Sequence, residues 1–161
     1  MGQFLGTHTG KLDTKNRVSI PALYRTQLRA ESTAGPLPPA AGTPLVARPS
    51  HIDRCIEVWS ETDFQALAAP LSKLDEFSQE YDDLSISIYA DATPLEADRE
   101  GRVVLPANLT EHAGLSVHST IVFMGRGKIF QIWETGQAEQ RKRDAAQRSR
   151  DRRLTLPGAA T

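Results

Sequence analysis

Two arginines, Arg17 and Arg102, each stand four residues after an aspartate, Asp13 and Asp98. A guanidinium is a planar fork of donors. Held on a rigid turn, it can donate two hydrogen bonds to O6 and N7 of guanine in a DNA major groove. A nearby aspartate can accept from the same guanidinium and fix its direction, or accept from backbone amides and fix the turn. The competing reading is an internal Asp–Arg pair that shapes a hairpin and touches nothing else. Paired charges at turns are common, and the residues alone favour this second reading. Lys15, beside the first tip, would reach a phosphate. At the second tip Arg99 would do so, opposed by Glu100, which makes the second turn the weaker one.

Each pair belongs to a longer match. Asp13-Thr14-Lys15-Asn16-Arg17-Val18-Ser19-Ile20-Pro21 returns as Asp98-Arg99-Glu100-Gly101-Arg102-Val103-Val104-Leu105-Pro106. The residue before each arginine is Asn16 or Gly101, two types that readily adopt a positive φ. The pattern predicts a tight turn, a short strand, and a proline opening a helix at its first position. Beyond the motif, Leu23 and Leu28 correspond to Leu109 and Leu115, and Leu45-Val46-Ala47 to Thr120-Ile121-Val122-Phe123. Cys55 to Trp59 corresponds to Ile129 to Trp133. Matching tryptophans outside the motif argue for internal duplication and a pseudo-twofold protomer.

On these motifs the chain resembles the MraZ family of bacterial transcriptional regulators, which carries two Asp-x-x-x-Arg repeats of the swapped-hairpin, AbrB-like type. The resemblance spans roughly residues 1–140. One departure is Asn16, where the family usually has glycine; asparagine tolerates the left-handed conformation, so the turn should survive. The resemblance implies an α+β fold: two tandem AbrB-like swapped-hairpin units forming a pseudo-twofold small β-barrel with flanking helices. The units would occupy 7–60 and 91–134, with a helical connector at 61–90 and a basic C-terminal helix or tail at 135–161. It implies double-stranded DNA as partner, contacted by Asp13, Lys15, Asn16, Arg17, Asp98, Arg99, Gly101 and Arg102. The targets would be short direct repeats in the promoter of the division and cell-wall gene cluster, with repression as the outcome. It also implies a ring-like homo-oligomer that adds weak turns by avidity. The alternatives are an antitoxin-like swapped-hairpin protein that binds a toxin as well as DNA, and an interaction module with no nucleic-acid role. DNA retention that falls steeply with salt distinguishes a phosphate-contacting protein from the last of these.

The remaining sequence bounds these readings. A chain of 161 residues, 39% hydrophobic, suits one domain or two small interlocked ones. Its net charge of −1 excludes a uniformly basic nucleic-acid binder but allows a local basic face. Seven basic and three acidic residues give 139–153 a net +4, leaving −5 on 1–138. That segment reads equally as a solvated helix or as a backbone-binding arm. His8, His51, His112 and His118 with Cys55 show no metal-ligand spacing, and no phosphate loop or nucleophile elbow occurs. No enzyme, cofactor, metal or small-molecule substrate is therefore expected. No apolar run reaches membrane length, a signal-peptide pattern is lacking, and one cysteine permits no internal disulfide; a cytoplasmic, nucleoid-associated protein is expected.

Three further expectations concern local structure. Residues 30–44, rich in proline and glycine, read as an exposed, mobile insertion. Leu74, Phe77, Tyr81, Leu84 and Ile88 read as the apolar stripe of a long helix, against a competing strand signal at 84–88. Phe4 and Leu5 would pack on the barrel, while Arg25 and Arg29 lie on the polar side of the first helix, opposite Leu23, Tyr24 and Leu28.

Overall fold

The computed structural model describes residues 2–158. Eight strands and several helices alternate along the chain: β1 (Thr7–Lys11), β2 (Arg17–Ser19), α1 (Ala22–Ala30), β3 (Thr43–Pro49), β4 (Ile56–Trp59), α2 (Glu61–Gln65), α3 (Ala68–Leu71), α4 (Gln79–Tyr89), β5 (Thr93–Ala97), β6 (Arg102–Val104), α5 (Ala107–Ala113), β7 (Thr120–Gly125), β8 (Phe130–Glu134) and α6 (Thr135–Asp151). The fold is α+β and antiparallel. Six strands form one sheet in the order β1-β7-β8-β4-β3-β5, and β2 pairs with β6 in a separate ribbon. The order is palindromic if β1 is matched with β5, β7 with β3 and β8 with β4. β1, from the first half of the chain, pairs with β7 from the second, and β5 pairs back onto β3.

The expected barrel is not formed: the six-stranded sheet is open, with β1 and β5 at its edges. The cause lies in the short strands after the turns. β2 and β6 have three residues each and spend their pairing on one another, Val18 opposite Val103. On each side one hairpin carbonyl bond, Arg17 O accepting from Asp13 N (3.0 Å) or Arg102 O from Asp98 N (2.8 Å), links the ribbon to the sheet edge. No ladder follows it.

Strand alternation divides the core. Phe130 and Ile132 point with Ile121, Phe123, Ile56 and Val58 into the main core, which also holds Phe4, Tyr24, Leu28 and Leu109. Val122, Met124 and Trp133 point to the opposite face and pack with Cys55 and Ala138 of α6. With both faces covered, the central strands β4 and β8 are buried almost throughout. Phe4, Tyr24 and Phe130 form an aromatic cluster with centroids 4.6–5.3 Å apart, and the Tyr24 hydroxyl donates to Gly6 O at 2.9 Å. Leu5, by contrast, is exposed.

Several local expectations are corrected. Pro21 and Pro106 occupy the residue before the helix, with ψ of 141° and 149°, rather than its first position. Pro21 O accepts from Arg25 N, so the carbonyl starts the helix while the ring remains outside it. Leu23 is exposed and α1 buries Tyr24 and Leu28; the matching buried pair in α5 is Leu109 and Ala113. The loop after α1 ends before Thr43, because Thr43 and Pro44 already belong to β3. Arg29 is not simply solvated: it donates to the loop carbonyls of Pro38, Ala41 and Gly42 at 2.6–3.1 Å. Residues 84–88 are helical, as expected, but α4 starts at Gln79 behind a Ser78 cap and leaves Phe77 exposed. No helix in the described residues is long and apolar enough to cross a membrane.

One buried charge pair ties α4 to the sheet. Arg48 of β3 lies 3.0 Å from Glu57 of β4 and donates to Ser87 O at 3.0 Å. Glu57 stands opposite Gln131 across the β4–β8 pair. Both accept from a tryptophan two residues on, Trp59 at 3.3 Å and Trp133 at 3.0 Å. Removing one member of a buried pair strands the other charge, which costs about 3–5 kcal/mol. Urea denaturation of Arg48→Met should show a loss of about that size. Adding Glu57→Gln should recover part of it, because Gln131 already fills the facing position as a neutral amide.

Candidate nucleic-acid interface

Both Asp-x-x-x-Arg stretches fold into the same hydrogen-bonded turn. In the first, Asp13 Oδ1 accepts from the amides of Lys15 and Arg17, both at 2.8 Å, and Oδ2 accepts from Arg17 Nε at 2.8 Å. In the second, Asp98 Oδ1 accepts from the amides of Glu100 and Arg102 at 2.9 Å, and Oδ2 from Arg102 Nε at 3.1 Å. Asp13 O accepts from Asn16 N at 3.0 Å, and Asp98 O from Gly101 N at 2.9 Å. The chain then reverses through positive φ, 59° at Asn16 and 88° at Gly101. The aspartate fastens the turn and aims the arginine at the same time.

The ribbon brings the two turns together. Ile20 N donates to Gly101 O and Leu105 N to Asn16 O, each at 2.8 Å, so the positive-φ residue of either turn accepts from the opposite strand. As a result Arg17, Asp98, Arg99 and Arg102 line one open groove of about 530 Å³. Lys15 is exposed at the first tip outside that lining. None of the lining residues comes from basic α6, which packs on β7 and β8.

The two arginines differ in what they leave free. Both spend Nε on aspartate. The Arg17 Nη atoms have no hydrogen-bond partner among the described residues, whereas Arg102 Nη2 pairs with Glu100 at 2.7 Å. Both Asp–Arg pairs are substantially exposed, with 30–46% of each side chain accessible, so water and salt screen them and they add little to stability. Their effect is orientation. Each guanidinium is fixed at Nε, and at Arg17 the unpaired outer edge is suited to a planar bidentate acceptor.

Sequence reasoning missed Arg25. Its guanidinium lies against Gly101: a Cβ built there would sit 2.6–2.8 Å from Arg25 Nε, Cδ and Cζ. The signal was available in the repeat register, since α1 follows the strand that bonds to Gly101, but an arginine on the polar side of a helix read as solvated. Elsewhere, burial pushes the Cys55 thiol up to about 12, so it remains protonated and is no nucleophile. Among the described residues no three His, Cys, Asp or Glu side chains converge to hold a metal ion.

The turns make a titration prediction. Asp13 and Asp98 are held below the ordinary aspartate value, first by the backbone amides of Arg17 and Arg102 respectively; the Arg17 guanidinium comes next for Asp13, while for Asp98 the Glu100 amide precedes the Arg102 guanidinium. A depressed carboxyl contributes stability above its unfolded value and loses it as the pH falls through the folded one. The turns should therefore loosen only in acid, below the usual aspartate range. Carboxyl-carbon NMR should find Asp13 still depressed in Arg17→Ala, because the Arg17 amide remains. A return to the ordinary value would make the side chain, not the backbone, the principal lock.

Comparison with known proteins agrees with these motifs. The family model described as "MraZ protein, putative antitoxin-like" matches residues 88–156. A protein of Gluconacetobacter diazotrophicus named transcriptional regulator MraZ is 50% identical over 157 residues, covering 98% of this chain and 93% of that protein. Proteins of the same name are 45% identical over 151 residues in Gluconobacter oxydans, covering 93% and 87%, and 35% over 159 residues in Rickettsia africae, covering 99% of each. Identity of this degree along nearly the whole chain, with both Asp-x-x-x-Arg turns inside it, makes this chain a member of the MraZ family.

Proposed function

We propose that this protein is a DNA-binding transcriptional regulator whose Asp-x-x-x-Arg turns read guanine in the major groove. The observation that supports the reading best is the shared groove: two arginines, each fixed at Nε by aspartate, line the same open groove. Arg17 is the principal reader, since both its Nη atoms are available, and Arg102 is partly occupied by Glu100. Lys15 and Arg99 take phosphates beside them, while Asp13, Asp98, Asn16 and Gly101 hold the turn shapes. The two units are 7–60 and 91–134, tandem AbrB-like swapped hairpins, with 61–90 as connector and 135–161 as a basic extension.

A single groove offers few contacts, so affinity comes from repetition. Identical copies in a closed ring, each meeting one of several short direct repeats, add weak contacts by avidity. The repeats lie in the promoter of the division and cell-wall cluster, where binding represses transcription in association with the nucleoid. Exposed apolar residues on and around the connector, Phe77, Ile86 and Tyr89, are surface that assembly would cover.

The decisive variant is Arg17→Ala. It should cost about 1–3 kcal/mol per lost guanine contact, multiplied around the ring, with Lys failing to restore it because an ammonium has no planar fork. Arg102→Ala should cost less. Melting, light scattering and the operator-to-random affinity ratio are measured on one preparation of each. The account expects wild-type and Arg17→Ala proteins equally folded and both larger than dimers, with only the variant unable to discriminate. A well-folded Arg17→Ala protein that still discriminates removes that arginine from the reading.

A further inference from the structure

We propose that Arg25 is a phosphodiester-binding residue serving the second turn, packed closely over Gly101, whose positive φ already favours a residue without a side chain. The inference rests on the turns facing DNA, and it concerns a residue outside both motifs. Arg25 belongs to α1, in the first half of the chain, yet its guanidinium lies across the backbone of Gly101 in the second. Its Nε is shielded from solvent with no hydrogen-bond partner. Among the described residues no carboxylate lies within ion-pairing distance of it. Asp98 lines the same groove, but its oxygens are engaged by the amides of Glu100 and Arg102 and by Arg102 Nε. An arginine held against the main chain with no anion of its own is a cation awaiting one.

The surroundings specify the anion. Arg25 lines a second groove with Thr26, Arg29, Asp98 and Arg99, adjoining the first groove through Asp98 and Arg99. Arg29 is committed to loop carbonyls, which leaves Arg25 and Arg99 as the groove's cations without an ion-pair partner among the described residues. A nucleic-acid strand whose base edge meets Arg102 carries a phosphate on each side of that base. Two guanidinium groups flanking the turn suit the backbone, which positions the protein without reporting sequence. They also oppose Glu100, which otherwise leaves the second turn the poorer ligand.

The repeat register explains why this device exists once. With Asp13 matched to Asp98, Arg25 corresponds to Thr110 and Gly101 to Asn16. Leu105 N donates to Asn16 O as Ile20 N does to Gly101 O, so α5 stands to the first turn as α1 stands to the second. Opposite the short threonine stands an asparagine at φ 59°, and opposite the long arginine a glycine at φ 88°, where its lack of a side chain also lets the guanidinium pack close.

Two experiments test this. The first compares wild-type, Arg25→Gln and Arg25→Lys on a duplex from the chain's own upstream region and on a scrambled duplex of equal composition, across a salt series. Arg25→Gln should weaken both duplexes by the same factor and flatten the slope of log affinity against log salt by about one per bound protomer, with Arg25→Lys keeping most of the slope. An unchanged slope in Arg25→Gln, with wild-type binding normally, overturns this proposal alone. Wild-type protein that binds neither duplex overturns the DNA reading itself. The second compares melting of Gly101→Asn, Arg25→Thr and the double variant, which copies the first turn's arrangement. Gly101→Asn should lower the melting temperature, and the loss should be smaller in the Arg25→Thr background, the remainder being the cost of a side chain at φ 88°. Equal losses in both backgrounds refute the steric coupling.

Discussion

Everything at the candidate interface depends on a two-stranded ribbon three residues long. β2 and β6 pair with Val18 opposite Val103, both buried, and a two-stranded ribbon this short is marginal in isolation. It is held at each end by a turn that an aspartate carboxylate fastens through two amides. The turns depend on the ribbon in return, since Asn16 O and Gly101 O accept from Leu105 and Ile20 of the opposite strands. Neither turn is a local structure only. Each is completed by chain about 85 residues away, and both arginines consequently open onto the same side.

Both halves run turn, short strand, helix and hairpin in the same order, and they differ in side chains at the turns and in the sheet. Glu57 faces Gln131, one charged and requiring Arg48, the other neutral. Glu100 restrains Arg102 while Lys15 leaves Arg17 free. Asn16 and Gly101 reach the left-handed region by different means, one by tolerating strain and the other by lacking a side chain.

The turns were legible because their requirements fall on residue types: an acceptor at the first position, a residue tolerant of positive φ at the fourth, a β-branched residue to begin a strand. The opening of the sheet was not, since pairing between β1 and β7 or between β2 and β6 is set by contacts distant in sequence. Nor could periodicity decide between Leu23 and Tyr24, adjacent apolar residues of which only Tyr24 turns inward. Phe77 fitted the helical stripe by spacing but precedes the Ser78 cap, so the helix does not carry it inward. Arg25 and Arg29 read as cations on the polar side of a helix, and nothing singled out Arg48. Their partners are main-chain surfaces or side chains brought close by tertiary structure, and no local pattern marks that.

The central claim is that an arginine fixed at Nε by aspartate presents its outer edge to guanine. Replacing individual guanines of the bound duplex with 7-deazaguanine removes the N7 acceptor and preserves base pairing, which isolates that contact. The account predicts that one or a few such replacements per repeat weaken the wild-type protein, and that Arg17→Ala is indifferent to at least one of them. Undiminished wild-type affinity after replacement of every guanine in turn would contradict it.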